Sequence, residues 1–340
     1  SQWFSHDLGI DDDLFDMVYH KGAWYVIGAN GVLIRFVDEA HWEFLNSRVS
    51  LDLYSIGSSG ETLIAVGKEG SVVSSDDGEQ WKQRFSTTQA DLNDVTSGSG
   101  LWTIVGMDHT ILTSNDNGLQ WRPANCDAEM NWATVLYDGD GDQWLTVGWM
   151  EYPGRLIIPD GVIASSENVN GLEWDCSARL IVKFYNAVHI NDTLVVLGIQ
   201  DAPIATGALY TFKEEFSARA TVDGKEVINE ISAYRDADYA NGRWVAVADK
   251  RVVSSEDAVS WSTVYGGSRD DYLHLRDVHY ANGLWVAGGS DLLVSSNGQD
   301  WDRVDPRPWG ELKGAASNNE GRTLVFSENK IWERTGDTQW

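Results

Sequence analysis

The chain reads as all-β: an eight-bladed β-propeller of four-stranded antiparallel blades closed by its own N-terminal strand, with a seven-bladed ring holding one irregular unit as the alternative. Three observations predict it. Paired apolar runs followed by a polar turn that ends on tryptophan recur along the 340 residues. The recurrence falls near the roughly 40 residues that one four-stranded blade needs. No stretch carries a sustained hydrophobic period of about 3.6 residues, so almost no helix is expected.

Within a unit the elements follow in order. An innermost strand, A, ends in a hairpin signal such as Ser99-Gly100, Asn241-Gly242 or Asn282-Gly283, dipeptides suited to two-residue turns. Strand B opens at Trp24, Leu63, Trp102, Trp144, Leu194, Trp244, Trp285 and Leu324, spaced by 39, 39, 42, 50, 50, 41 and 39 residues. Strand C is a second apolar run, as in Ser71-Val72-Val73 or Leu292-Leu293-Val294. The outermost strand, D, opens at Trp42, Trp81, Trp121, Trp174, Phe216, Trp261, Trp301 and Trp340, and once more at Trp3.

Nine outer-strand aromatics for eight units decide how the ring shuts. The last unit has three inner runs and then reaches Trp340 with no room for a fourth, so residues 1–8 supply it. The chain is one domain, 1–340, with units at about 10–46, 47–86, 87–126, 127–178, 179–222, 223–266, 267–306, and 307–340 plus 1–9. Radial repetition leaves only short sheet edges.

Between C and D, Ser74, Asp76, Gly78 and Trp81 fit the pattern S-x-D-x-G-x-x-W, and Ser114, Asp116, Gly118 and Trp121 repeat it; degenerate copies end on Trp174, Trp261 and Trp301. On these residues the chain resembles the BNR/Asp-box propeller superfamily. That superfamily includes sialidases, xyloglucan-active hydrolases, sortilin-type receptors and Ycf48-like photosystem II assembly factors. The Trp244-Val245-Ala246-Val247 style of run is most similar to its bacterial exported branch. The resemblance implies a fold. The Arg-Ile-Pro segment of the sialidases does not occur, so no catalytic residue is carried over. The turn residues read as structural, because a residue type repeated around a ring is a fold requirement: Ser and Asp cap turn N–H groups, Gly takes a conformation others resist, and Trp packs between blades.

Lys plus Arg is 25 against Asp plus Glu 52, a formal net charge of −27. That excess opposes nucleic acid and anionic membranes. No apolar run is long enough to span a bilayer. Cys126 and Cys176 fall on neighbouring outer strands, where a disulfide is allowed but not required by spacing. An extracytoplasmic, monomeric protein without a signal peptide in this sequence is expected, and no cofactor. The run Asp138-Gly139-Asp140-Gly141-Asp142 offers calcium or a solvated turn.

A ligand belongs on the face carrying the D-to-A and B-to-C connections, because insertions on a rigid scaffold are where binding is grafted. The two long units put their extra residues in B-to-C connections, at Trp149, Tyr152 and Arg155 onward and at 199–207. The A-strand starts ring the channel mouth. One aligned row reads Phe15, Tyr54, Asn93, Trp132, Tyr185, Arg235, Arg276, Lys313, and the next Asp16, Ser55, Asp94, Ala133, Asn186, Asp236, Asp277, Gly314. By strand alternation only one row should line the channel. If the first does, Trp132, Trp149, Tyr152, Arg155, Tyr185, Arg235, Arg276 and Lys313, with Trp309 over the rim, bind a carboxylate-bearing sugar or peptide by stacking and guanidinium clamping. Two functions follow. One is a noncatalytic recognition or assembly propeller for a glycan, peptide or protein. The other is a glycoside hydrolase or anionic-polysaccharide lyase using Tyr272, His274 and Asp271.

Overall fold

The structure is a computed structural model. It describes residues 2–38, 41–124, 126, 129–139, 142–150, 161–166, 172–180, 182–190, 193–200, 206–213, 224–227, 233–266, 273–304, 312–318, 322–327 and 330–335. The chain starts with β1 (Gln2–Asp7). Blade 1 is β2 (Leu14–His20), β3 (Ala23–Gly28), β4 (Leu33–Asp38) and β5 (His41–Phe44). Blade 2 is β6 (Leu53–Ser58), β7 (Leu63–Gly67), β8 (Val72–Ser75) and β9 (Lys82–Arg84). Blade 3 is β10 (Leu92–Gly98), β11 (Leu101–Gly106), β12 (Ile111–Ser114) and β13 (Arg122–Pro123). Blade 4 is β14 (Asn131–Asp138), β15 (Gln143–Trp149), β16 (Gly161–Ser166) and β17 (Asp175–Leu180). Blade 5 is β18 (Val182–Ile190), β19 (Thr193–Gln200), β20 (Thr206–Lys213) and β21 (Gly224–Val227). Blade 6 is β22 (Tyr234–Ala240), β23 (Arg243–Ala248), β24 (Arg251–Ser255) and β25 (Ser262–Gly266). Blade 7 is β26 (Leu275–Ala281), β27 (Leu284–Gly289), β28 (Leu292–Ser295) and β29 (Asp302–Arg303). Blade 8 is β30 (Leu312–Ser317), β31 (Thr323–Ser327) and β32 (Lys330–Thr335), with β1 as its outer strand.

The eight-bladed reading holds, and the seven-bladed one falls. Each sheet has four strands, and innermost strands touch in sequence from β2 through β30 and back to β2. Trp3 lies opposite Arg334 in the β1–β32 ladder, as the ninth outer-strand aromatic required. Trp340 and Phe216 lie outside the described residues; the outer strand found in blade 5 is β21. Two single 3₁₀ turns, Ala29–Gly31 and Lys68–Gly70, are the helical segments among the described residues.

The core lies between blades. The eight aligned B-strand residues, Trp24, Leu63, Trp102, Trp144, Leu194, Trp244, Trp285 and Leu324, are each at most 4% exposed, because a B strand is covered on both faces by the neighbouring sheets, and that double cover is why its sequence reads as a continuous apolar run. Four of those indoles stack on a tyrosine directly opposite on strand A: Tyr19 with Trp24, Tyr137 with Trp144, Tyr239 with Trp244 and Tyr280 with Trp285, at 4.8–5.1 Å. The closing seam has its own clamp. Arg322 of blade 8 lies over the Phe36 ring of blade 1 at 5.7 Å, donates to the Val37 carbonyl, and pairs with buried Glu333 at 2.6 Å.

Candidate functional site

Each A strand begins with a β-bulge. The ladder to strand B skips one residue between Leu14 and Asp16, Leu53 and Ser55, Leu92 and Asp94, Trp132 and Thr134, Phe184 and Asn186, Tyr234 and Asp236, Leu275 and Asp277, and Leu312 and Gly314. The extra residues are Phe15, Tyr54, Asn93, Ala133, Tyr185, Arg235, Arg276 and Lys313. A bulge re-aims a side chain and breaks alternation. Burial along β2 therefore runs buried, partly exposed, partly exposed, buried. Two sequence expectations change. Both aligned rows leave the core face, instead of one. Trp132 belongs to the row of Leu14, Leu53 and Leu92: it is 0% exposed and packs with Trp144 and Trp174, so it is a core residue and no ligand anchor. Ala133 takes its place at the bulge, and Thr134 takes the place given to Ala133.

The residues after the bulge form a belt that ties blades 1 to 4 to one another, and blades 5 to 8 likewise. Asp16 accepts from the N–H groups of Met17 and Ile56. Ser55 donates to Asp94 at 2.8 Å, and Asp94 accepts from the Thr134 hydroxyl and the Val135 N–H. Asn186 donates to Asp236; Asp236 accepts from Val278 N–H, and Asp277 from Ala315 N–H. Burial pushes the Asp16 carboxyl up to about 7. Burial, then repulsion from Asp238, raises Asp236, and burial, then repulsion from Asp236, raises Asp277. Groups that satisfy buried N–H donors of the next blade are structural ties.

At the bulge positions themselves the side chains differ from blade to blade. Phe15 and Tyr54 meet at 5.8 Å. Lys183 Nζ sits 4.3 Å above the Trp149 ring and 5.5 Å from Tyr185, whose other neighbour is the Arg235 guanidinium at 5.6 Å. The order Trp149, Lys183, Tyr185, Arg235 is thus a cation–aromatic stack across blades 4, 5 and 6. Lys183 was not singled out by sequence reasoning. Its signal was there, two residues ahead of Tyr185 on one strand, so on nearly the same side. Arg276 is exposed and Lys313 partly buried on the following blades. Burial raises the Tyr185 phenol while Arg235 opposes the rise; burial, then the Asp91 and Asp52 carboxylates, raise that of Tyr54.

Of the remaining predicted residues, Tyr152, Arg155, Trp309, Tyr272 and Asp271 lie outside the described residues. His274 is exposed, with Nδ1 3.5 Å from Asp249 Oδ1 and its backbone N–H donating to Ser290 Oγ. Asp142 accepts from the Tyr137 hydroxyl, and Asp138 lies 3.6 Å from His189. Among the described residues no group of three or more His, Cys, Asp or Glu is placed to hold a metal.

The polar turns lie on the opposite face. At Ser114, Asp116, Gly118 and Trp121 the expected bonds form: Gly118 N–H donates to Ser114 Oγ and Gln120 N–H to Asp116. In the first turn the work falls one residue later than expected. Ser75 and Asp77, not Ser74 and Asp76, receive the N–H groups of Gly78, Glu79 and Gln80. The strand runs on to a Leu63–Ser75 pair, so Ser74 faces away and meets Arg84, while Asp76 takes the Thr62 hydroxyl. Ser255 with Asp257 and Ser295 with Asn297 repeat this tighter form. The N–H donors hold the Asp77 and Asp257 carboxyls below the usual range. Two recesses open on this face, one of about 240 Å³ beside Ser114 and Arg122, the other of about 690 Å³ between Lys21, Thr62, Asp76 and Leu119. At the rim, Cys126 and Cys176 are disulfide-bonded and join blades 3 and 4.

No family model matches the sequence. No curated protein matches it either. Solved structures do. Ycf48 bound to D1 peptide superposes with a TM-score of 0.62 at 13% identity, over 98% of this chain and 97% of that one. BamB from Moraxella catarrhalis gives 0.68 at 10%, over 100% and 99%. The computationally designed Ika8 protein gives 0.72 at 10%, over 96% and 97%. At such identities the likeness speaks to fold, and by fold this chain is a β-propeller.

Proposed function

We propose that the chain is a noncatalytic recognition or assembly propeller that binds a peptide segment of a protein partner across the channel mouth, on the face where the A strands begin. One observation carries this reading. Eight equivalent bulges hold side chains with no fold-wide rule, and the chemistry that does not repeat is aromatic and cationic. Lys and Arg make up 25 of 340 residues, so eight positions drawn at random would carry fewer than one, yet three consecutive blades carry Arg235, Arg276 and Lys313. The neighbours point the same way: the Ycf48 structure holds a D1 peptide.

A peptide suits the mouth better than a glycan. Lys183 and Arg235 already cover faces of Trp149 and Tyr185, and those faces are where a sugar would stack. The hydrolase or lyase reading has less to work with, since the channel carboxylates are engaged by N–H groups of adjacent blades and His274 is turned to Asp249. The disulfide supports an oxidising, extracytoplasmic setting. The test is a peptide array and a glycan array probed side by side with the native chain and with Trp149→Ala and Arg276→Ala. Peptide signals that both variants weaken support the proposal. Signals indifferent to both, or confined to glycans, overturn it.

A further inference from the structure

The mouth has an electrical direction, and it bears on what kind of segment fits. In a ring of eight, blades four apart face each other across the axis. Blade 2 thus faces blade 6, and blade 3 faces blade 7. Where the A strands of blades 2 and 3 begin stand Asp52, Tyr54 and Asp91. Each aspartate engages a neutral donor, Asp52 the N–H of Asn30 and Asp91 the N–H of Glu69. Such bonds fix the carboxylates without cancelling their charge. Tyr54 stands close enough to feel both of them, and its ring is backed by Phe15. Opposite lie Arg235 and Arg276. Arg235 is steadied by the Tyr185 ring, and among the described residues no group hydrogen-bonds its enclosed Nε.

We infer that the mouth selects a peptide segment with a lysine or arginine at one end and a glutamate or aspartate at the other, the cationic end on Tyr54, Asp52 and Asp91 and the anionic end on Arg235 and Arg276. This rests on the peptide-binding reading above and adds the charge pattern of the ligand and its orientation. An aromatic ring flanked by carboxylates is a site for a cation, and guanidinium groups form bidentate pairs with carboxylates. A uniformly acidic segment meets Asp52 and Asp91, and a uniformly basic one meets Arg235 and Arg276. Each is repelled at one end, so specificity comes from the wrong charge as much as from the right one.

The experiment uses three capped octapeptides on the full chain, each with a Gly-Ser core and two Glu at one end. The other end carries two Lys, two Gln or two Glu. Affinities are read by fluorescence anisotropy at low ionic strength and at about 0.15 M, where exposed pairs are largely screened. The Lys-ended peptide is expected to bind about five-fold more tightly than the Gln-ended one, the effect of a weakly screened pair, and the Glu-ended peptide more weakly still. Asp52→Asn with Asp91→Asn keeps both backbone acceptors and so the fold, which thermal unfolding checks. It should bring the Lys and Gln peptides to equal affinity. Arg276→Gln should weaken all three. If the Lys peptide fails to bind, binds no better than the Gln peptide, or keeps its advantage in the double variant, the charge pattern is wrong while the array result still stands. If Arg276→Gln alters no peptide that binds, the mouth itself is the wrong place.

Discussion

Adding one methyl group at Gly78 tests how neighbouring blades are locked together. Gly78 has φ +73, and a Cβ built there would lie 1.9 Å from the Tyr25 hydroxyl and 2.6 Å from its Cζ. Tyr25 is 3% exposed on strand B of the preceding blade and packs on Trp81, so it has little room to withdraw. Gly78→Ala meets two penalties. Left-handed backbone costs a side-chain-bearing residue about 1–2 kcal/mol, and forcing an atom into packed surroundings costs about 1–3 kcal/mol more, for a loss of about 2–5 kcal/mol. Gly60→Ala separates the two, because Gly60 has φ +85 and nothing within 4 Å of its Cβ position; it should lose only the backbone share. Tyr25→Phe removes the nearest atom, so the double variant should recover about 1 kcal/mol against the sum of the single changes. Urea unfolding followed by tryptophan fluorescence reads all four proteins. If Gly78→Ala matches Gly60→Ala within about 0.5 kcal/mol, or adds simply to Tyr25→Phe, the contact between turn and blade is not what excludes a side chain there.

Three further outcomes are expected. Asp16, raised to about 7, and the raised Asp236, Asp238 and Asp277 hold protons in the fold that the unfolded chain gives up above about pH 4, so their contribution is full at low pH and is lost as pH climbs towards 7. The urea midpoint should be higher at pH 5 than at pH 8. Asp277→Asn, which keeps an acceptor for Ala315 N–H and offers Asp236 a donor as Asn186 does, should flatten that fall; an unchanged slope refutes it. Replacing Cys126 and Cys176 by serine opens a link across 50 residues of sequence, a loss of about 4 kcal/mol by chain entropy, checked by urea midpoints with and without reductant; a shift under about 1 kcal/mol contradicts it. Deleting residues 1–8 bares the β32 edge and removes buried Leu8, so light scattering should show self-association that a synthetic peptide of residues 1–8 suppresses; a monodisperse, fully stable truncated chain would contradict the closure.

What sequence reasoning found and what it missed divide along one physical line. The period was legible because the aligned B-strand residues, from Trp24 to Leu324, are sandwiched between sheets, and double burial writes an unbroken apolar signature. The closure was legible because Trp3 is one outer-strand aromatic too many for the units that follow it. Both misplacements are one-residue slips in backbone that departs from strand period: the bulge that sends Trp132 into the core and Ala133 to the mouth, and the shortened turn that hands the capping to Ser75 and Asp77. A bulge leaves no mark in residue type, since its extra position accepts Phe15, Arg276 or Lys313 alike. The same indifference makes the position informative once located. The neighbouring core and belt positions are held to apolar and N–H-accepting side chains by the demands of packing and blade-to-blade bonding, whereas nothing in the ring dictates the side chain at the bulge. Chemistry that gathers there, aromatic at Phe15, Tyr54 and Tyr185 and basic at Arg235, Arg276 and Lys313, is therefore chemistry the fold does not require, and a ligand is the remaining reason for it.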